Sequence, residues 1–207
     1  MANRDHSLDN RIIIAARNEF LEKGYAGASL RKIAEQAGAT IGAIRTRYQT
    51  KDDLFLSLVR PLVSDINTAF QKLKNDYFTV GSDDPISHLQ KSMKLESDAI
   101  IDLIFQHYDK AVLLLCRAGG SSLETFFDQL VEQKIEESLL FFRKFSVPDP
   151  KEDVLRLLIF AQFNSYRQIV SGGYSEASAR ESMNAVMLYH TNGWLALLDY
   201  IKEAQRS

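Results

Sequence analysis

Ile12, Ala16 and Phe20 recur at i, i+4 and i+8 and form one apolar stripe, while Arg11, Arg17 and Glu22 fall on the other faces. That spacing predicts a helix over about residues 9–23, ended at Gly24. Leu30, Ile33, Ala34 and Ala37 predict a second helix over 29–37, and Ile44 and Tyr48 anchor a short third one over 41–48. Ser29 and Thr40 precede these as hydroxyl residues able to accept a bond from an orphan backbone N–H. Gly38 falls between the two helices, where a left-handed backbone is cheap only for glycine. Two short helices joined in this way read as a helix-turn-helix, whose second helix lies in the DNA major groove.

Leu54, Phe55, Leu58, Leu62 and Ile66 predict a long fourth helix over 51–76, with a kink or break expected at Pro61. Residues 80–85 read as a connection, with Asp84–Pro85 as a helix start. The helical pattern resumes over 86–108 and 109–117. Gly119–Gly120–Ser121 is a turn that feeds a helix over 122–145, and residues 146–150 form the clearest loop of the second half. Two more helices follow, over 151–170 and 175–203. No segment alternates with period two. The chain is therefore expected to be all-α with about nine helices: a helix-turn-helix domain over 1–50 and a helical domain over 51–207.

Charge changes this picture modestly. The net charge is −2, so the protein as a whole is not a polyanion binder. Residues 1–60 nevertheless carry ten Lys or Arg and seven Asp or Glu, whereas the remainder carries fifteen and twenty. A basic N-terminal module on an acidic body suits a protein that turns one end toward phosphate. The single cysteine, Cys116, rules out an intramolecular disulfide and suits a reducing cytoplasm. The polar N-terminus lacks a secretory core. No stretch approaches the length of apolar chain that spans a bilayer. A soluble, cytoplasmic protein without membrane partners is the expectation.

Residues 12–55 resemble the N-terminal domain of the TetR family of bacterial transcriptional regulators. The resemblance rests on Ala15–Ala16, Phe20 with Glu22–Lys23–Gly24–Tyr25, Ile33–Ala34, Ala37–Gly38, and Lys51 with Leu54–Phe55, in gap-free spacing. Tyr189 followed by Gly193–Trp194 resembles the last helix of many members, and residues 113–126 resemble the regulatory domain of some. The resemblance implies three DNA-binding helices, a linking fourth helix, and a body that binds an effector and dimerises. It departs from the family at the start of the recognition helix. There a Lys-Gly-Thr-Leu-Tyr-like run becomes Ile41–Gly42–Ala43–Ile44–Arg45.

The implied DNA-binding residues are Ser29, Arg31, Thr40, Ile41, Gly42, Ala43, Arg45, Thr46, Arg47 and Lys51. Arg45, Arg47 and Lys51 are expected at phosphate, Arg47 also at a base, and Arg31 at either. Arginine serves phosphate well through its planar fork. Gly42 and Ala43 permit close approach to the groove. Ile41 meets a thymine methyl or belongs to an apolar patch facing a protein partner. The implied partners are a pseudo-palindromic double-stranded operator, a second copy through the last two helices, and an unknown small-molecule effector. The dimer stripes expected are Leu155, Leu158, Ile159 and Gln162, and Met187, His190, Trp194, Leu197, Leu198 and Ile201. Phe105, Cys116, Phe127 and Gln162 stand as candidate effector contacts. Pro61 is a candidate lever between head and body.

Other readings are weighed against this one. Aromatic residues at helical spacing also serve as plain core, and surface arginines as solvated charge. The head, lacking the usual lysine and tyrosine, also fits a dimeric module for protein or small-molecule partners that has lost operator recognition. An enzyme is not expected: nothing orients Cys116 and His107 as nucleophile and base. His6, His88, His107 and His190 show no metal-ligand spacing with Cys116, and no cofactor is implied.

Overall fold

The computed structural model describes residues 6–79, 85–144 and 150–204, and every regular element among them is a helix. In chain order these are α1 (His6–Gly27), α2 (Leu30–Ala37), α3 (Ile41–Arg45), α4 (Lys51–Thr79), α5 (Pro85–Gln106), α6 (Tyr108–Cys116), α7 (Phe126–Lys144), α8 (Glu152–Ser171) and α9 (Glu176–Ala204). The expected connection over 80–84 and loop over 146–149 lie outside the described residues. No described helix is long and apolar enough to cross a membrane.

The chain forms two compact units that differ from the expected division at residue 50. One comprises Met1–Ser64 with His107–Phe126, the other Asp65–Gln106 with Phe127–Ser207. The cause is visible in the bonds that α6 and its following loop make. Tyr25 N–H donates to the Arg117 carbonyl at 2.8 Å, and Ser122 N–H donates to Asp52 Oδ1 at 3.0 Å. Arg17 pairs with Asp109 at 3.4 Å.

In the first unit the stripe of α1 is buried as its spacing predicts. Ile12, Ala16 and Phe20 are buried, as are Ile33, Ala34 and Ala37 of α2, Ile44 of α3, and Leu54 and Phe55 of α4. Phe20 and Tyr25 both set their rings edge-on to Phe55, at 5.1 and 5.3 Å between centroids. Lys51 caps this cluster. Its ammonium donates to the Tyr25 carbonyl at 2.7 Å and the Ala28 carbonyl at 3.2 Å, and lies 4.4 Å above the Tyr25 ring. Gly24, at φ 67°, turns the chain where α1 was expected to end. Beneath it, the buried Glu19 accepts the Ser29 N–H at 3.1 Å.

Two expectations for the helices need correction. Pro61 does not break α4, which continues to Thr79. Pro61 sits on the exposed side, where solvent rather than core surrounds the missing hydrogen bond. The helix expected from residue 122 starts at Phe126. Before it, Ser121 donates through N–H and Oγ to the Ala118 carbonyl, and Glu124 N–H returns to Ser121, so local turns consume the groups a helix needs.

In the second unit α9 packs against α5 and α8. The expected dimer stripes are largely spent on this core. Leu155, Ile159 and Gln162 of α8 and Met187, Trp194 and Leu198 of α9 are all buried within one chain. The apolar surface left on these helices belongs to other residues: Leu157 and Phe160 on α8, and Leu188, Tyr189 and Tyr200 on α9.

Replacing Lys51 by Met should cost about 1–3 kcal/mol, since two carbonyls lose a charged donor. Denaturant unfolding of the whole chain measures this, and an unshifted midpoint would contradict the capping role.

Candidate functional site

The turn between α2 and α3 is built from backbone chemistry. Gly38 adopts φ 61°, ψ 41°, and its N–H returns to the carbonyls of Ala34 and Glu35. Ala39 N–H adds a bond to Ala34 at 2.9 Å. Together they satisfy the end of α2 as a left-handed C-cap does. Thr40 then caps α3, accepting the Ala43 N–H on Oγ1 at 3.1 Å. Ser29 holds the matching position before α2 in extended geometry, but its side chain makes no cap bond. A single buried residue, Ile44, anchors α3.

The opposite face of α3 presents Ile41, Gly42, Arg45 and Thr46 to solvent, with Ala43 half-buried. Arg31 on α2 and Arg45 on α3 are exposed and, among the described residues, pair with no carboxylate. The other cations expected at phosphate are occupied. Arg47 forms an ion pair with Asp9 and donates to the Ala43 carbonyl at 3.1 Å. Lys51 spends its ammonium on Tyr25 and Ala28. Thr46 Oγ1 donates back to the Gly42 carbonyl at 2.9 Å. Asp9 lies 38 residues before its partner, so local spacing carries no signal of the pair. The reciprocal cap of Thr50 and Asp53, with Asp53 N–H on Thr50 Oγ1 at 3.0 Å, was legible as Thr-x-x-Asp before an apolar run.

The second unit encloses a cavity of about 120 Å³ walled by residues including Phe70, Met93, Phe142, Ile159 and Trp194. Gln162, one of the candidate effector contacts, lines it. Phe127 packs on Phe160 at 5.7 Å, and neither it, Phe105 nor Cys116 lines the cavity. Sequence reasoning missed the charged group in the wall: Glu96, Lys134 and Glu137. Lys134 donates to Glu96 Oε2 and stands 3.9 Å from Glu137. Burial alone would push the Lys134 ammonium down, but the two carboxylates together hold it above its usual value. Burial holds Glu137 above the ordinary carboxylate range, with Lys134 pulling the other way. Glu96 and Lys134 sit 38 residues apart on different helices, and no local motif announces them. Among the described residues no group of three or more His, Cys, Asp or Glu is placed to hold a metal.

With this geometry in place, the likenesses to known proteins follow its two parts. A family model for bacterial regulatory proteins of the tetR family matches residues 12–58. The HTH-type transcriptional repressor AcnR of Corynebacterium diphtheriae is 43% identical over 49 residues, which cover 24% of this chain and 26% of AcnR. AcnR of Corynebacterium efficiens is 39% identical over 62 residues, covering 29% of this chain and 33% of that protein. The chain thus matches no more than a third of the length of either relative. FadR of Bacillus subtilis, solved in complex with stearoyl-CoA, superposes with a TM-score of 0.59 at 17% identity, over 89% of this chain and 98% of FadR. The head is thus a helix-turn-helix domain. Residues 12–58 match the model of the tetR family of bacterial regulatory proteins, and the chain as a whole shares the helical fold of FadR.

Two stability tests follow. Gly38→Ala should cost about 1–2 kcal/mol through backbone strain, because a Cβ there meets nothing within 4 Å. A thermal melt that does not fall would refute the left-handed turn. Lys134→Met should cost about 3–5 kcal/mol by leaving buried carboxylate uncompensated. Adding Glu96→Leu should recover part of the loss, and equal losses in the single and double variants would rule out the coupling.

Proposed function

We propose that the chain is a cytoplasmic, homodimeric transcriptional repressor that grips a pseudo-palindromic operator with α3 and is released by a small-molecule effector. The observation that carries this reading is the tetR-family head at 12–58 with Arg31 and Arg45 uncommitted on its exposed face. Arg45 serves phosphate by its planar fork, Arg31 a phosphate or base, and Gly42 lets the helix approach closely. Arg47 and Lys51 act as braces rather than contacts, since Asp9 and two carbonyls already hold them. AcnR is named a repressor, which favours repression here.

Half-sites one helical turn apart need two heads. Leu157, 71% exposed, and Tyr189, 76% exposed, with Phe160 and Leu188, supply the apolar face for self-association through α8 and α9. An effector in the body cavity shifts the spacing of the two heads. A coupling of about 1–3 kcal/mol suffices for roughly 5–150-fold loss of affinity. A second reading, a module for a protein partner, is favoured only by Ile41, an apolar residue 37% exposed at the start of α3.

Genomic duplexes selected by the protein itself supply the probe, read by fluorescence anisotropy across salt. Arg45→Ala and Arg31→Ala should each weaken binding and lower the salt slope by about one unit. Lys51→Met should leave that slope unchanged. Failure to retain any duplex at low salt favours the second reading. Leu157→Asp with Leu188→Asp should yield a folded monomer in sedimentation, and a persistent dimer would move the interface elsewhere.

A further inference from the structure

The wall of the body cavity holds a donor-acceptor imbalance. Glu96 is 5% exposed, and its Oε1 has no hydrogen-bond partner. Its other oxygen is taken by Lys134, whose ammonium also faces Glu137 at 3.9 Å. The deep group therefore sets two carboxylates against one ammonium. Side-chain exposures there are 7% for Glu96, 13% for Glu137 and 22% for Lys134. Lys74 and Lys91 also line the cavity, but Lys74 is half-buried and Lys91 is exposed. Charges in water are screened, while buried ones act at low dielectric. Lys74 lies within electrostatic reach of Glu137, so what sets Glu96 apart is the oxygen that no donor reaches.

The remaining wall suits a cation that also carries an apolar body. Trp194 and Phe142, 6.5 Å apart between centroids, present aromatic surface, and Phe70 and Met93 add apolar area. Aromatic faces attract ammonium groups, tryptophan most strongly. Gln162, buried and without a partner among the described residues, adds an amide that accepts or donates. A cavity near this size takes a molecule about as large as benzene.

We propose that this cavity takes a small apolar primary amine, bound as its ammonium ion with a hydrogen bond to the Glu96 carboxylate and its apolar body against Trp194 and Phe142. The assignment deepens the effector reading and rests on it for any effect on DNA, but binding itself needs no DNA. A carboxylate of the same shape meets Glu96 and Glu137 as like charges, and an alcohol of the same shape forfeits the ionic part of the bond.

Trp194 is the chain's one tryptophan and lies in the cavity wall, so intrinsic fluorescence of the full-length protein reads occupancy directly. Phenethylamine, phenylethanol and 3-phenylpropanoate form the probe series. Phenethylamine should bind about tenfold or more tighter than the other two, the difference a charged hydrogen bond makes. Glu96→Gln should erase that preference, with circular dichroism checking that the variant is folded. If it is not folded, the ranking in the parent protein decides alone. Equal binding of all three, tighter binding of the carboxylate, or no fluorescence response to any would overturn the proposal. Amine binding that leaves operator affinity unchanged would instead sink the effector reading while the ligand assignment stands.

Discussion

A lysine side chain closes the first unit. Lys51 opens α4, yet its ammonium reaches back to two carbonyls at the end of α1 and to the face of the Tyr25 ring. Those carbonyls follow the turn at Gly24, where the Tyr25 carbonyl also accepts the Ala28 N–H at 3.3 Å. Tyr25 in turn sends its N–H to Arg117 and its ring against Phe55. One charge thereby fastens α1, α4 and the loop after α6 around the same aromatic cluster. The helix-turn-helix is mounted on this frame, through Ile33, Ala34, Ala37 and Ile44.

The second unit spends its chemistry differently. Its packing is apolar and aromatic, but it tolerates a buried ammonium with two carboxylates. Replacing such a group by well-packed apolar side chains is often neutral or stabilising. The buried Tyr166 hydroxyl belongs to the same polar seam: burial and the nearby Glu96 charge push its ionisation upward, against the pull of Ser97.

The helices were legible because their periods were strong. The stripe of Ile12, Ala16 and Phe20, the cap at Thr40 and the left-handed Gly38 all stand as the spacing implied. What escaped was whatever depended on partners distant in sequence. Arg47 read as a free cation because Asp9 lies far upstream. The bonds from Lys51 to Tyr25 and Ala28 were not foreseen, because carbonyl partners carry no side-chain signature. Between Val186 and Ile201 the chain is apolar nearly all round, and α8 carries apolar residues on more than one side, so periodicity alone did not say which side faces the core of one chain. Exposure settles that: Leu155 is inside and Leu157 outside. The start of α7 was misplaced because serine hydroxyls compete for the backbone, and composition does not reveal which competitor wins.

The short helix α3 buries Ile44 alone, and Arg47 just beyond it ties the Ala43 carbonyl to Asp9 of α1. The outward positions of α3 are thus almost decoupled from folding. Substitutions at Ile41, Gly42 or Arg45 alter the surface offered to a partner while leaving the scaffold intact. Divergence among descendants of such a chain has an inexpensive route: recognition drifts quickly, and architecture stays put.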